Sequence, residues 1–333
     1  MTRIALVGCA HIHTPGFIKK LQSRKDVEVP FVWDHDAKRA AAAAEALKAR
    51  VIPEVGGIWA DPGIDAAVIC SETVRHEPLV LAAAASRKHV FVEKPLGMGA
   101  ADAFRMADAV TRAGIRFQTG YFMRGNPVHL FLKEQLAEGR FGTVTRLRHT
   151  NCHAGSLKGW FDAEWRWMAD PAQAGFGGFG DLGTHSLDIL LWLMGDVADV
   201  TASVKKVTGR YGDCDETGEA ILNFENGTIG SMAAGWLDVA HPVSLVLSGT
   251  KGHAYAAGGN LFFQSDSVPG ADGKEPWKKL PAELPHAFDL FLDSLAGKDV
   301  PLVGVGEAAY RSSVTEAMYA ASRSKAWITP RRG

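Results

Sequence analysis

The chain has 333 residues, which predicts two domains at about 150 residues each. Hydrophobic residues make up 47% of the chain and charged residues 22%, so a sizeable core can form and intrinsic disorder is excluded. Lys and Arg total 36 against 37 Asp and Glu, a net charge of −1. No overall basic excess therefore favours a nucleic acid or an anionic membrane as partner.

The first apolar run, Ile4 to Val7, is too short for the apolar core of a signal peptide, and no later stretch approaches a membrane span. The spacing of the four cysteines fits neither a zinc site nor a disulfide scaffold; they are Cys9, Cys70, Cys152 and Cys214. We therefore expect a cytoplasmic protein with reduced thiols and no membrane partner.

Short apolar runs alternate with Ala-rich helical stretches over residues 1–120. The predicted strands are Arg3–Gly8, Val27–Trp33, Asp65–Cys70 and His89–Glu93, and the predicted helices are Ala37–Ala49, Pro78–Ser86 and Ala100–Ala113. Strands rich in Val and Ile, joined by helices, predict an α/β domain with a doubly wound parallel sheet. Pro30 conflicts locally with the second strand, because proline lacks the N–H that a sheet ladder uses.

The pattern changes after Gly120, and closely spaced strands with turn signals between Val200 and Tyr255 favour an antiparallel sheet. The other predicted elements are a helix over Asn126–Glu138, a strand over Thr143–Asn151, a glycine-rich loop over Gly175–Gly180, an amphipathic helix over Asp181–Met194, an exposed loop over Pro269–Glu275, and closing helices over Ala282–Leu295 and Glu307–Ser324. We expect a dinucleotide-binding domain over residues 1–122 and an α+β domain over residues 123–333.

The loop after the first predicted strand is a candidate cofactor site, because ligands bind at the carboxyl ends of parallel strands. A Gly-x-Gly-x-x-Gly fingerprint would begin at Gly8, but Ala10 and His13 occupy the other two glycine places. Thr14-Pro15 predicts a helix N-cap and first turn, so the helix begins about at Pro15. The candidate cofactor contacts in this loop are Gly8, Ala10, His11, Ile12 and His13. At least one histidine would donate a hydrogen bond to cofactor or substrate, unless both pack against the neighbouring domain.

Asp34 ends the second predicted strand, where an acidic residue is the expected acceptor for a ribose 2′-hydroxyl. A carboxylate there repels a 2′-phosphate, so NAD is favoured over NADP. Asp36, two places later, is an alternative ribose ligand.

Two further groups of residues are candidates for chemistry. Lys94, in Glu93-Lys94-Pro95 after the strand at His89, would lie near a bound nicotinamide and a substrate hydroxyl. Asp181 and His185 are one turn apart on the amphipathic helix and share a face. A carboxylate beside an imidazole fixes the tautomer and raises the basicity that a general base needs, although an isolated pair of this kind is more often a surface ion pair.

The chain resembles the glucose–fructose oxidoreductase/inositol dehydrogenase/rhizopine catabolism (Gfo/Idh/MocA) family over nearly its whole length. The resemblance is carried by Ala83–Pro95, by Trp165–Asp188, and by the turn Gly139–Val144. His76 matches the histidine of the family's Asn-x-x-His, with Thr73 at the asparagine position.

This resemblance implies a Rossmann domain, a second domain with an open and mainly antiparallel sheet, and NAD in the cleft between them. It implies oxidation of a secondary alcohol of a sugar or cyclic polyol, or the reverse, in a homodimer or homotetramer. By motif, Lys94 positions the substrate oxygen and joins the proton relay, His185 is the general acid/base, and Asp181 is its partner or binds substrate. No metal is required, because the lysine charge replaces it. Further implied contacts are Ser71, Glu72, His76 and Glu93 for the cofactor, and Tyr121, Arg124, Asn151, His153, Trp165 and Arg166 for the substrate.

The sequence departs from the family pattern at Ser71-Glu72-Thr73, which replaces the usual Thr/Ser-Pro-Asn. Glu72 adds a carboxylate that either binds a sugar hydroxyl or caps the next helix. Trp160, Trp165 and Trp167 either form a platform for sugar rings or pack in the core. Three other functions stay open: NAD-dependent glycoside cleavage, a non-catalytic sugar or cofactor sensor, and another substrate class such as a dihydrodiol or a tetrapyrrole.

Overall fold

The computed structural model describes residues 1–333. Six strands form the first sheet: β1 (Thr2–Val7), β2 (Val27–Trp33), β3 (Arg50–Val51), β4 (Ala66–Ile69), β5 (His89–Val92) and β6 (Phe117–Thr119). Five helices connect them: α1 (Thr14–Ser23), α2 (Ala37–Leu47), α3 (Gly56–Ala60), α4 (His76–Ala85) and α5 (Ala100–Ala113). All strand pairs are parallel, in the order β3-β2-β1-β4-β5-β6, so the doubly wound sheet is confirmed.

The first sheet is buried on both faces. On β1, Ile4 and Leu6 enter one apolar core, whereas Ala5 and Val7 enter the other. This explains why the strands are apolar throughout rather than alternating. Pro30 is tolerated because the register between β1 and β2 shifts beside it, which leaves a bulge where no ladder hydrogen bond is needed.

The second sheet has eight strands: β7 (Val144–Cys152), β8 (Val197–Lys205), β9 (Thr217–Phe224), β10 (Ile229–Gly235), β11 (Val243–Gly249), β12 (Gly252–Ala257), β13 (Asn260–Ser265) and β14 (Asp272–Pro276). Their order is β14-β13-β12-β11-β7-β10-β9-β8, with only β7 and β10 parallel, so the mainly antiparallel sheet is confirmed. The prediction of a loop over Pro269–Glu275 is wrong from Asp272 onward, because β14 pairs with β13 as an edge strand. Its exposed, polar side chains carry no apolar alternation that could reveal a strand.

The helices of the second half are α6 (Pro127–Ala137), α7 (Pro171–Ala174), α8 (Gly178–Met194), α9 (Ala287–Leu295) and α10 (Val305–Ser324). The prediction that α8 is amphipathic is wrong. It begins at Gly178 and is buried on all sides, with the second sheet on one side and α10 on another. Asp188 stays buried there because it forms ion pairs with Arg124 and Arg311.

The last two helices pack back against the first sheet. Phe288, Phe291 and Leu292 of α9 join the core that contains Ile4 and Leu6, and α10 lies along α5. Helix α9 begins at Ala287 rather than Ala282, with the His286 side chain accepting from the Phe288 N–H. The packing therefore crosses the predicted boundary between residues 122 and 123. None of the helices has the length and apolar character needed to cross a membrane.

Candidate active site

The carboxyl ends of β1, β4 and β5 meet the first turns of α8, and most of the candidate residues lie along this edge. Gly8 ends β1 with a φ of +81°, and a Cβ there would lie 2.6 Å from the backbone nitrogen of Ser71. Only glycine fits both the left-handed backbone and this close approach. The loops after β1 and β4 are therefore held against each other.

The N-terminus of α1 faces the same edge. The helix begins at Thr14 with His13 as its N-cap, and no side chain caps it. The prediction of Thr14 as N-cap is wrong by one residue, and its buried hydroxyl has no hydrogen-bond partner. An uncapped helix N-terminus after a tight glycine turn is the arrangement that binds a phosphate group, so the residues present fit a dinucleotide despite the altered fingerprint.

Two loop histidines contact Glu93, which follows β5 and is fully buried. The His13 Nδ1 lies 3.1 Å from the Glu93 Oε1, and the His11 Nε2 lies 3.8 Å from the Glu93 Oε2. The Lys94 backbone N–H also donates to Glu93. These donors, with the Lys94 ammonium nearby, hold the pKa of Glu93 well below its usual range despite burial, which acts in the opposite direction.

The His11, His13 and Glu93 ligand atoms lie within 4.8 Å of one another, close enough to surround a metal ion. The hydrogen bonding argues against metal binding, because the backbone N–H of His13 donates to the His11 Nδ1. A neutral His11 then carries its proton on Nε2, facing Glu93, where a metal would need a free lone pair. Burial lowers the pKa of His11 to about 3, so the ring is neutral near pH 7. Glu93 is thus hydrogen-bonded by His13 and the Lys94 backbone N–H, with His11 close by.

Asp34, at the end of β2, is fully engaged by protein donors. Its carboxylate accepts from the Cys9 N–H, from the Asp36 N–H and from the Arg39 guanidinium. Asp36 instead caps α2 by accepting from backbone N–H groups in its first turn. Arg39 also donates to Glu72, so one cation joins the carboxylates that follow β2 and β4.

Lys94 and Asp181 form the ion pair that links the two halves of the chain at this edge. The Lys94 Nζ donates to the Asp181 Oδ1 at 2.7 Å, and the Trp236 Nε1 donates to the Asp181 Oδ2 at 3.1 Å. Although burial opposes ionisation, the Lys94 ammonium holds the pKa of Asp181 well below its usual range. Asp181 and His185, which the sequence suggested as a pair, form no hydrogen bond with each other; the Asp181 oxygens accept from Lys94 and Trp236 instead.

His185 lies one turn further along α8 and is buried. Its Nδ1 has no hydrogen-bond partner in the chain. Its ring packs edge-on against Phe122 and Tyr121 at centroid distances of 5.1 and 6.1 Å. Burial and the Lys94 charge both lower the pKa of His185 well below 6.5. The imidazole is therefore neutral near pH 7 and able to accept a proton.

Some of the predicted cleft residues lie beside these groups. The Tyr121 hydroxyl bonds to Thr184 on α8, the Asn151 amide donates to the Leu182 carbonyl, and the His153 ring stacks obliquely on Trp160. Ala10 and Ile12 contact the second-domain core from the β1 loop.

Other predicted contacts are engaged by neighbouring groups of the chain. Arg124 forms two hydrogen bonds to Asp188, and Arg166 donates to the Ala169 carbonyl. Trp165 packs against the large core. His76 lies between the carbonyls of Ser71 and Leu96, where it braces the loops that follow β4 and β5.

Two residues that the sequence argument did not place, Arg39 and Trp236, and one that it left undecided, Trp167, also shape this edge. Arg39 bridges two carboxylates, Trp236 holds Asp181, and Trp167 donates from its Nε1 to the Ala10 carbonyl across the two halves. The role of Arg39 could have been inferred from the sequence, because an arginine in the first turn of α2 lies close to the acidic residue that follows β2. The two tryptophans act through single hydrogen bonds between distant segments, which no local pattern reveals.

Comparisons with known proteins match both halves of the chain. The description "Oxidoreductase family, NAD-binding Rossmann fold" matches residues 2–121, and "GFO/IDH/MocA C-terminal domain" matches residues 129–255. The first half is thus an NAD-binding Rossmann domain of the oxidoreductase type. The chain belongs to the GFO/IDH/MocA family.

Among curated relatives, the chain is 34% identical over 195 residues to inositol 2-dehydrogenase of Acidothermus cellulolyticus, covering 57% of this chain and 53% of the relative. It is 32% identical to myo-inositol 2-dehydrogenase of Thermotoga maritima, covering 51% and 49%. The chain thus matches about half the length of these relatives. Levoglucosan dehydrogenase, in complex with NADH and levoglucosan, superposes with a TM-score of 0.84 at 19% identity, covering 99% of this chain and 100% of that one. This last likeness supports the fold.

Proposed function

We propose that this protein is an NAD-dependent dehydrogenase that oxidises a secondary alcohol of a sugar or cyclic polyol, or reduces the corresponding ketone. The observation that carries the proposal is the ion pair of the Lys94 ammonium, from the first half, with Asp181, which lies one helical turn before the neutral, buried His185 in the second half. The names of the inositol and levoglucosan dehydrogenases, to which the chain is similar, support the substrate class.

The nicotinamide ring, when bound, supplies the two-electron acceptor for the hydrogen on the alcohol carbon. Residues of the chain manage the hydroxyl proton and the negative charge left on oxygen. His185 is the proton acceptor, and its lowered pKa keeps the imidazole unprotonated, and so available for this role, near pH 7. The Lys94 ammonium, held by Asp181, stabilises the developing alkoxide in a site where burial strengthens the interaction.

A panel assay with charge-removing variants tests this proposal. NAD⁺ reduction is measured with myo-inositol, other polyols, aldoses and a glycoside. We expect Lys94→Met and His185→Asn each to lower turnover by about 100-fold or more on the preferred polyol, as removal of acid–base and oxyanion groups does elsewhere. Lys20→Met is the matched control, because Lys20 forms its ion pair with Asp289 away from this edge. Near-normal turnover in Lys94→Met would overturn the proposal, and net glycoside cleavage would replace it by a lyase-like activity.

The pH profile of kcat/KM gives an independent check on His185. The group must be unprotonated for alcohol oxidation, and its pKa is shifted downward from 6.5. Activity is therefore retained as pH falls to 6.5 and is lost only below that value. An acid limb with its midpoint at or above 6.5, unchanged in His185→Asn, would exclude His185 as the base.

We also propose that the protein is a homodimer that pairs through the outer face of the second sheet. Ile221, Ile229 and Val243 are exposed apolar side chains on these strands. Light scattering behind a sizing column should give about twice the 35.7 kDa chain mass, and Ile221→Lys with Ile229→Lys should give the single-chain mass. A wild-type protein that elutes as a single chain would disprove this.

A further inference from the structure

A second charged junction lies at the opposite end of the same sheet edge. Asp34 follows β2, Glu72 follows β4, and the two carboxylates lie on either side of the Gly8 turn after β1. The Arg39 Nη2 is 2.9 Å from the Asp34 Oδ1 and 2.8 Å from the Glu72 Oε1. In dinucleotide-binding Rossmann domains the adenosine ribose lies at the end of the second strand, so this junction faces its 2′ position.

Asp34 alone cannot supply selectivity for NAD over NADP. Both of its oxygens already accept backbone N–H groups, from Cys9 and from Asp36, in addition to the Arg39 guanidinium. Its side chain is fully buried. These bonds tie the β1 loop to the start of α2 and fix the position of Arg39, which is a structural task.

Glu72 differs from Asp34 because one of its carboxylate oxygens accepts no hydrogen bond. It precedes a short 3-10 helix but its side chain makes no capping hydrogen bond, so the capping alternative from the sequence is wrong. Its Oε2 is buried without a hydrogen-bond partner, with the Arg75 Nε at 3.4 Å. The residue as a whole is only 3% exposed. A buried carboxylate at the ribose end, with one oxygen that accepts no hydrogen bond and has only the Arg75 ion pair, needs an explanation beyond folding.

We propose that Glu72 is the residue that excludes NADP, because it occupies the guanidinium that would otherwise bind the 2′-phosphate. An arginine beside the second strand is the group that accepts this phosphate in NADP-binding domains. Here Arg39 is shared between two carboxylates, so its positive charge is already neutralised. The phosphate carries a charge of about −2 and would enter next to Glu72, where like charges repel. NAD has only a hydroxyl there, which meets no such barrier.

Direct binding tests the proposal without depending on turnover. Dissociation constants of NADH and NADPH are measured by isothermal titration calorimetry for the full chain. Glu72→Gln keeps the size of the side chain and removes its charge. We expect the affinity for NADPH relative to NADH to rise by at least about tenfold. Glu45→Gln is the matched control, because Glu45 is an exposed acid on the same helix as Arg39 and should leave the ratio unchanged.

A second substitution at Glu72 shows whether the effect survives a different side chain. A double variant shows whether the effect depends on Arg39. Glu72→Pro suits the backbone, since Glu72 has a φ of −58° and its N–H makes no hydrogen bond. It should raise the relative NADPH affinity as Glu72→Gln does. Adding Arg39→Met to Glu72→Gln should abolish the gain.

An unchanged NADPH-to-NADH ratio in both Glu72 variants would overturn the proposal, as would a gain that survives Arg39→Met. The inference rests on dinucleotide binding alone. If no polyol is oxidised but the ratio shifts as expected, the proposed dehydrogenase activity fails while the role of Glu72 stands.

Discussion

The two ion-pair junctions of the cleft differ in how they are built. Lys94 and Asp181 are 87 residues apart in sequence, and their side chains are 3% and 14% exposed. Arg39 and Asp34 are only five residues apart, and Arg39 is 26% exposed. The Arg39 junction is therefore assembled within the Rossmann domain, whereas the Lys94–Asp181 junction exists only when the two halves are docked. Removing a charge should cost much stability at the Lys94–Asp181 junction and little at the Arg39 junction.

The largest effect is expected for Asp181→Ala. This substitution leaves the Lys94 ammonium buried without its carboxylate, and breaking a buried pair in this way costs roughly 3–5 kcal/mol. Urea unfolding near pH 7, followed by tryptophan fluorescence, measures the free energy of unfolding. A loss below about 1 kcal/mol would mean that the two junctions do not differ as described.

The next largest effect should be the loss of unfolding free energy as the pH falls, and it tests the burial of the loop after β1. The pKa of His11 is about 3 in the folded chain against 6.5 as its ordinary value, so the unfolded chain binds more protons between these values. His11 therefore costs no stability above pH 6.5, and the free energy of unfolding falls as the pH decreases from 6.5 towards 3. Lowering the pH to 4.5 should cost roughly 2–3 kcal/mol through this group.

His11→Gln should make the fall in stability with decreasing pH shallower. His253→Gln is not a suitable control, because the partly buried His253 ring bonds to Ser248. Exposed His35→Gln is not suitable either, since His35 lies close to Glu72. The reference is therefore the wild-type curve of unfolding free energy against pH. If the curve of His11→Gln runs parallel to it, the buried, neutral state of His11 is contradicted.

A smaller effect is expected for Trp167→Phe. The change removes the hydrogen bond from the Trp167 Nε1 to the Ala10 carbonyl but keeps an aromatic ring in the core. The free energy of unfolding should fall by about 1 kcal/mol. Trp160→Phe, at a half-exposed position outside the large core, should have little effect. Equal losses in the two variants would show that the contact between the halves contributes nothing specific.

The smallest effect is expected for Glu72→Ala. Arg39 keeps its hydrogen bonds to Asp34 and can reach water, so the free energy of unfolding should change by less than about 1 kcal/mol. The same urea titration as for Asp181→Ala measures it. A loss as large as that of Asp181→Ala would remove the contrast between the two ends.

Four strands of the first sheet, though not their order, could be predicted because their signals are local. Apolar runs such as Asp65–Cys70 and His89–Glu93 correspond to strands buried on both faces, and the connecting helices start close to the expected residues. Strand β3 was missed because two residues carry no periodicity. Helix α8 was mistaken for an amphipathic helix because its polar residues are buried by segments that only the folded chain supplies.

The candidate site divides in the same way. Lys94, Asp181 and His185 could be selected from sequence because each belongs to a recognisable motif. Their pairing could not, since the sequence suggested Asp181 with His185 whereas the structure pairs Asp181 with Lys94 and Trp236. Pairings between distant segments depend on the docking of the two halves, which no short pattern records.

The return of α9 to the first sheet has a consequence for how the protein can be divided. Phe288, Phe291 and Leu292 fill the core beside β1 and β5, so a fragment ending at residue 122 would leave that apolar surface open to water. The Rossmann half is therefore not an autonomous module that could be excised or grafted. Cofactor binding and the second sheet belong to one cooperative unit, and calorimetry should record a single melting transition rather than two.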